Sequence, residues 1–368
     1  MEKNVKKIIA ISEPSITQKE IDYVTDAVTS GWVSSLGKYI NLFEEGFANY
    51  CGTKYAVSTS NGTTGLHLSL VALGITAQDE VIVPDLTFIA TANAVKYIGA
   101  KVVVVDIDED TLCMNPIALE AAITDRTKAI IPVHLYGHPA DMIEINRIAE
   151  KYHLFVIEDA AEAHGAEING RRVGSFGDLG VFSFYGNKIM TSGEGGMITT
   201  NDINLYERLK YLRDHAMSME KRYWHTEIGY NYRMTNLQAA LGLAQLERID
   251  ELTLKKREIF NWYYENLKDT PQVKLNFEKK NVKNAFWLPC IELLGYSEKN
   301  RDLLLVNLKE IGIDGRPYFY PISDMPMFED VETKIAHLVS HRGISLPSHF
   351  NLDKNNVDFI CSELKKLL

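Results

Sequence analysis

The sequence predicts an α/β protein, with a large, mainly parallel sheet domain followed by a smaller C-terminal α+β domain. Three observations carry this expectation. Between about residues 55 and 250, short β-branched runs alternate with amphipathic stretches, the order that produces strands joined by helices. Several of those runs are almost wholly apolar, as strands covered on both faces must be. The chain has 368 residues, 46% of them hydrophobic, which suffices for one large core and a satellite.

Taken in order, strands are expected at residues 55–58, 80–83, 101–105, 129–133, 155–158, 181–184 and 196–199. Asn61-Gly62-Thr63-Thr64 is a polar start suited to a helix N-terminus, and Leu66, Leu68, Leu70, Val71 and Leu73 continue that helix. From residue 235 to about 267, Leu237, Ala240, Leu241, Ala244, Ile249, Leu252, Ile259 and Trp262 recur at helical spacing, giving one or two long amphipathic helices. Beyond residue 271, an apolar stretch at 286–291, a helix over 300–311 and a final helix after Asp353 make up the smaller unit. The expected division is 1–250, including an N-terminal segment, and 251–368. Neither a repeat nor a flexible linker separates the two, so they should be joined tightly.

A net charge of −10 disfavours a nucleic-acid backbone as the main partner, while leaving room for a local basic pocket. Cys51, Cys113, Cys290 and Cys361 lie far apart, which suggests neither a disulfide framework nor a cysteine zinc site. The first seven residues are basic, but the following Ile8-Ile9-Ala10-Ile11 is too short for a signal-peptide core, and no run reaches membrane-spanning length. A cytoplasmic protein without a membrane partner is therefore expected.

Three segments carry candidate chemistry. In Phe182-Ser183-Phe184-Tyr185-Gly186-Asn187-Lys188, a lysine sits in a glycine-flanked turn between two apolar strands. Most lysines are solvated, so alone this turn says little. The strand at 155–158 runs into Glu158-Asp159-Ala160-Ala161-Glu162-Ala163-His164, and ligands of open α/β sheets sit beyond such strand ends, although Asp159 could simply cap a helix. A metal site made of Asp159, Glu162 and His164 lacks a further ligand pair at a completing spacing, so no metal is expected. His134 and His138 do not supply one, because Gly137 and Pro139 oppose the helix that would align them. Finally, Ser58-Thr59-Ser60-Asn61-Gly62-Thr63-Thr64 offers amides and hydroxyls at the positive end of a helix, which favours a phosphate, with ordinary capping as the alternative. An anion cradle, a strand-end acid and a turn lysine are together the groups that a pyridoxal 5'-phosphate site requires.

At these residues the chain resembles the DegT/DnrJ/EryC1/StrS sugar aminotransferases. The resemblance runs from about Glu13 to the C-terminus, through residues 30–37, Asn61-Gly62-Thr63, Pro84-Asp85-Leu86-Thr87-Phe88, Glu158-Asp159-Ala160-Ala161-Glu162, Gly186-Asn187-Lys188 and Gly229-Tyr230-Asn231-Tyr232-Arg233-Met234. It implies the aspartate aminotransferase-type fold (fold type I) and a homodimer with shared active sites. Residues 134–139, 222–225 and 316–321 resemble the branch that uses a GDP-linked 4-keto-6-deoxy sugar, with dTDP- and UDP-linked sugars as alternatives. The implied reaction transfers the amino group of L-glutamate to a nucleotide-linked keto sugar.

The resemblance assigns Lys188 to carry the cofactor and shuttle protons, and Asp159 to keep the pyridine nitrogen protonated. Phe88 would stack on the ring, though it could equally be core. Gly62, Thr63 and Ser183 would bind the phosphate, joined by Asn231 from the partner subunit. Glu162 would lie near the phenolic oxygen of the ring or the incoming sugar. Tyr223, Trp224, His225 and Arg316 are candidates for substrate binding; interface packing is the plainer reading of the first three. A dehydratase branch carries histidine where this chain has Lys188, and a silent cofactor-binding regulator would be expected to lose Lys188 or Asp159, so both are disfavoured.

Overall fold

The computed structural model describes residues 8–276 and 278–368; the basic stretch 1–7 lies outside the described residues. Seven strands form the large sheet: β1 (Tyr55–Thr59), β2 (Glu80–Pro84), β3 (Lys101–Val105), β4 (Thr127–Ile130), β5 (Phe155–Asp159), β6 (Leu179–Ser183) and β7 (Gly196–Thr200). Their order is β1-β7-β6-β5-β4-β2-β3, and β7 alone runs against its neighbours β1 and β6. The expected mainly parallel sheet is therefore present.

Alternation along each strand divides the core into two layers. Ile82, Ile130, Val156, Phe182 and Met197 face one layer, and Val81, Val83, Ala129, Ile157, Val181 and Ile198 face the other. Because both faces are covered, the strands read as continuous apolar runs. β4 ends before the expected residue 133. Pro132 has no N–H to give the ladder, and Val133 keeps only an isolated bridge to Asp159.

The stretch at 235–267 forms two helices, Asn236–Leu246 and Ile249–Leu267. Asn236 clasps the 30–37 segment, since its backbone N–H donates to Ser34 O and its side-chain amide donates to Trp32 O while accepting from Tyr39 N. In the C-terminal part, β8 (Val273–Leu275), β9 (Cys290–Leu293), β10 (Arg316–Pro317) and β11 (Gly343–Ser345) form a second sheet in the order β8-β9-β11-β10. Helices Glu298–Glu310 and Lys354–Leu367 pack with it around Ile291, Leu293, Leu304, Ile344 and Ile360. Both start where their caps dictate: Ser297 accepts from Asn300 N, and Asp353 accepts from Asn356 N. No helix among the described residues is long and apolar enough to cross a membrane.

Candidate active site

The C-terminal ends of β1, β2, β5 and β6 open onto one edge of the sheet, and a cavity of about 370 Å³ lies there. Its lining includes Gly62, Thr63, Phe88, Asp159, Glu162, Ser183 and Lys188, so seven residues expected from four distant segments come together.

Helix Gly62–Ala72 supplies the cradle. The side chain of Asn61 accepts from Thr64 N, and the first intrahelical bond runs from Gly65 N to Asn61 O. The amides of Gly62 and Thr63 stand ahead of that bond at the positive end of the helix. Close packing dictates glycine at 62, where a Cβ would lie 2.9 Å from Ser183 Cβ. A Gly62→Ala variant is expected to push the cradle away from Ser183 and weaken pyridoxal phosphate binding by about fivefold or more, the equivalent of ~1–3 kcal/mol of overpacking. Absorbance titration of the apoprotein checks this.

Asp159 ends β5. One carboxylate oxygen accepts from Thr91 Oγ1 at 2.7 Å and the other from Ala161 N at 3.2 Å. Burial pushes its pKa up, and the Thr91 bond opposes that shift. The preceding Glu158 has a different part: it accepts from the amides of Gly174, Phe176 and Gly177 and from His134 Nε2. His134 Nδ1 accepts from Ala140 N, so the proton sits on Nε2 and the ring is a structural bridge. His164 packs against Phe182 and Phe184, with ring centroids 5.5 and 5.7 Å away.

Lys188 Nζ lies 3.7 Å from Glu162 Oε1 and 4.0 Å from the centroid of Trp287. Burial lowers the lysine pKa despite the two nearby carboxylates. Glu162 is pushed up to about 7, chiefly by burial, while Lys188 and the amide of Tyr136 pull it down. The cavity thus holds a carboxyl that exchanges a proton near neutrality beside an amine whose pKa burial lowers.

For Glu162, a folded pKa of about 7 above the ordinary 4.5 means that the folded state holds the extra proton between those values. Stability of the cofactor-free protein should therefore fall as pH rises through that window. Glu162→Gln should flatten the fall, raising Tm at pH 7.5 relative to pH 5 by ~2–4 °C against wild type. Thermal melts across pH check this, and an unchanged slope would contradict the assignment.

Other lining residues were assigned no role from the sequence. Trp287 and Phe319 arrive from the C-terminal part, and Tyr185, Asn187 and Glu194 flank the lysine turn. Trp287 Nε1 donates to Asn187 O, pinning that turn. Tyr136, in the left-handed region with φ 53°, gives its amide to Glu162 and accepts at its hydroxyl from Phe319 N. Asn231, Tyr223, Trp224, His225 and Arg316 do not line the cavity of their own chain. Tyr223 and Trp224 are exposed, His225 Nδ1 bonds to the carbonyl of His215, and Arg316 pairs with Asp314.

A model of the DegT/DnrJ/EryC1/StrS aminotransferase family matches residues 14–365. The chain belongs to this family. It is 46% identical over 362 residues to GDP-perosamine synthase of Escherichia coli O157:H7 and 45% identical over 367 residues to that of Caulobacter vibrioides, each match covering 98% of both chains. Among solved structures, Spr1654 from Streptococcus pneumoniae in its PLP form is similar with a TM-score of 0.93 at 28% identity, covering 98% of this chain and 100% of that one. This family member is thus a pyridoxal-phosphate-dependent aminotransferase with the type I fold. Its residues fit the cofactor: a cradle closed to any Cβ at 62, a buried carboxylate at 159 and a buried amine at 188 share one cavity.

Proposed function

We propose that this aminotransferase moves the amino group of L-glutamate onto GDP-4-keto-6-deoxy-D-mannose, giving GDP-perosamine and 2-oxoglutarate in two half-reactions. The observation that carries the sugar assignment is similarity along the whole chain, 46% identity over 98% of both proteins, to one named GDP-perosamine synthase. The observation that carries the chemistry is the convergence of Lys188, Asp159 and the Gly62–Thr63 amides on one cavity.

When bound, pyridoxal phosphate supplies the electron sink that lets an amine and a ketone exchange nitrogen. Lys188 would hold the cofactor and move protons at the substrate carbon, and burial lowers the pKa of its amine, which eases both tasks. Asp159 would keep the pyridine nitrogen protonated when the cofactor is bound, an adjacent cation favouring the carboxylate against the effect of burial. Gly62, Thr63 and Ser183 hold the phosphate, Phe88 covers the ring, and Glu162 exchanges a proton at the phenolic oxygen or the sugar.

In this reading a homodimer completes the site. Asn231 lies outside its own chain's cavity and serves the partner's phosphate, and Tyr223, Trp224 and His225 meet the sugar nucleotide across the same interface. The support is a set of exposed apolar side chains, Trp32, Leu36, Tyr223, Trp224 and Ile228, of the sort that mark an association surface.

The test offers GDP-, dTDP- and UDP-linked 4-keto-6-deoxy sugars to the loaded enzyme with L-glutamate and identifies products by mass spectrometry. An amino sugar formed only from the GDP substrate, with parallel lines when both substrates are varied, supports the reading. Product from another nucleotide alone would replace the sugar assignment, and intersecting lines would contradict the two-step scheme.

A further inference from the structure

Lys256 is a buried lysine on helix Ile249–Leu267, with no carboxylate within ion-pairing distance among the described residues. A buried ammonium without an acid is costly unless its donors are satisfied. Here all three donors have acceptors: Trp287 O at 3.1 Å, Ser348 O, and Ser348 Oγ at 3.2 Å. These acceptors sit on two separate C-terminal segments, so one side chain fastens both to the long helix.

One of the two segments touches the active site. Trp287 has its carbonyl on Lys256, its indole N–H on Asn187 O and its ring face 4.0 Å from Lys188 Nζ. Lys188 and Lys256 also line the same small cavity behind the lysine turn. An aliphatic residue of similar length would fill that space without a desolvation penalty, but it would leave the three acceptors without this donor.

We propose that Lys256 is a positioning residue for Lys188, acting through Trp287: its ammonium fixes the indole against which the reactive amine is held. Burial lowers the Lys256 pKa to about 7. This inference rests on Lys188 being the lysine that takes the cofactor.

Two readouts test it, both on apoprotein. Tryptophan emission, taken as wild type minus Trp287→Phe, reports the surroundings of the indole. Capture of pyridoxal phosphate, fixed with borohydride and located by peptide mass, reports the amine of Lys188. Lys256→Met should alter the emission difference, measured against its own Trp287→Phe control, and slow capture roughly tenfold, as loss of a charge-assisted hydrogen bond implies. Lys256→Gln, which retains N–H donors, should recover capture to within about threefold of wild type.

A folded Lys256→Met protein with the wild-type emission difference and capture rate would overturn the proposal, as would a Gln variant no better than Met. If Lys256→Met does not fold, Ser348→Ala decides instead: removal of one acceptor should alter the emission difference, and an unaltered one overturns the proposal. Failure of wild-type protein to capture the cofactor at Lys188 would remove the lysine assignment itself, while the emission arm still tests the Lys256 to Trp287 link.

Discussion

Lys188→Ala is expected to abolish amino transfer, lowering turnover by about 10⁴-fold or more, because nucleophilic and proton-transfer roles are lost together. Among the described residues, Lys188 is the one lysine lining the cavity. The fold should survive. Glu162 is pushed up to about 7 with Lys188 beside it, and removing that cation, which lowers the glutamate pKa, leaves Glu162 neutral instead of a bare buried charge. Circular dichroism and thermal melting would establish that the variant is folded, and release of 2-oxoglutarate from L-glutamate would measure the loss. A folded variant with normal turnover would overturn the assignment.

Asp159→Asn should be the second largest effect, reducing turnover by roughly 10–100-fold, the value of a charge-assisted hydrogen bond to a buried cation. The amide has the same shape and can still accept from Thr91 Oγ1, so cofactor binding need not be lost with the charge. The measurement is turnover alongside the cofactor content of the purified variant. Wild-type turnover in a fully loaded variant would refute the role at the pyridine nitrogen.

Much of this site was legible because its parts are local. Asn61-Gly62-Thr63 announces a capped helix start, Asp159 follows an apolar strand, and Lys188 lies in a turn between two others. The shared edge of a parallel sheet does the rest, because strand order places β1, β5 and β6 with their ends on one side. The large sheet was readable for a related reason: strands covered on both faces must be apolar throughout, and these are.

What escaped the sequence depends on contacts between distant segments. Trp287 reads as one more apolar residue in 286–291, and only the folded chain brings it against Lys188, 99 positions earlier. Phe319 reaches the cavity from beside β10 through a hydrogen bond to Tyr136, 183 residues away. Thr91 carries no motif, yet it is a direct partner of Asp159. Arg316, a candidate for substrate binding from the sequence, is exposed in the chain and paired with Asp314, outside the cavity. Residues 223–225 and Asn231 lie outside their own chain's cavity as well, where a role at the site depends on the proposed partner subunit.

The most direct test of the central claim is a single half-reaction. Purified protein loaded with pyridoxal phosphate is mixed with L-glutamate in the absence of any sugar, and 2-oxoglutarate is counted against active sites. One equivalent of 2-oxoglutarate per site is expected, with conversion of the cofactor to its pyridoxamine form, and neither with Lys188→Ala. Wild-type protein that binds the cofactor but releases no 2-oxoglutarate would contradict that claim.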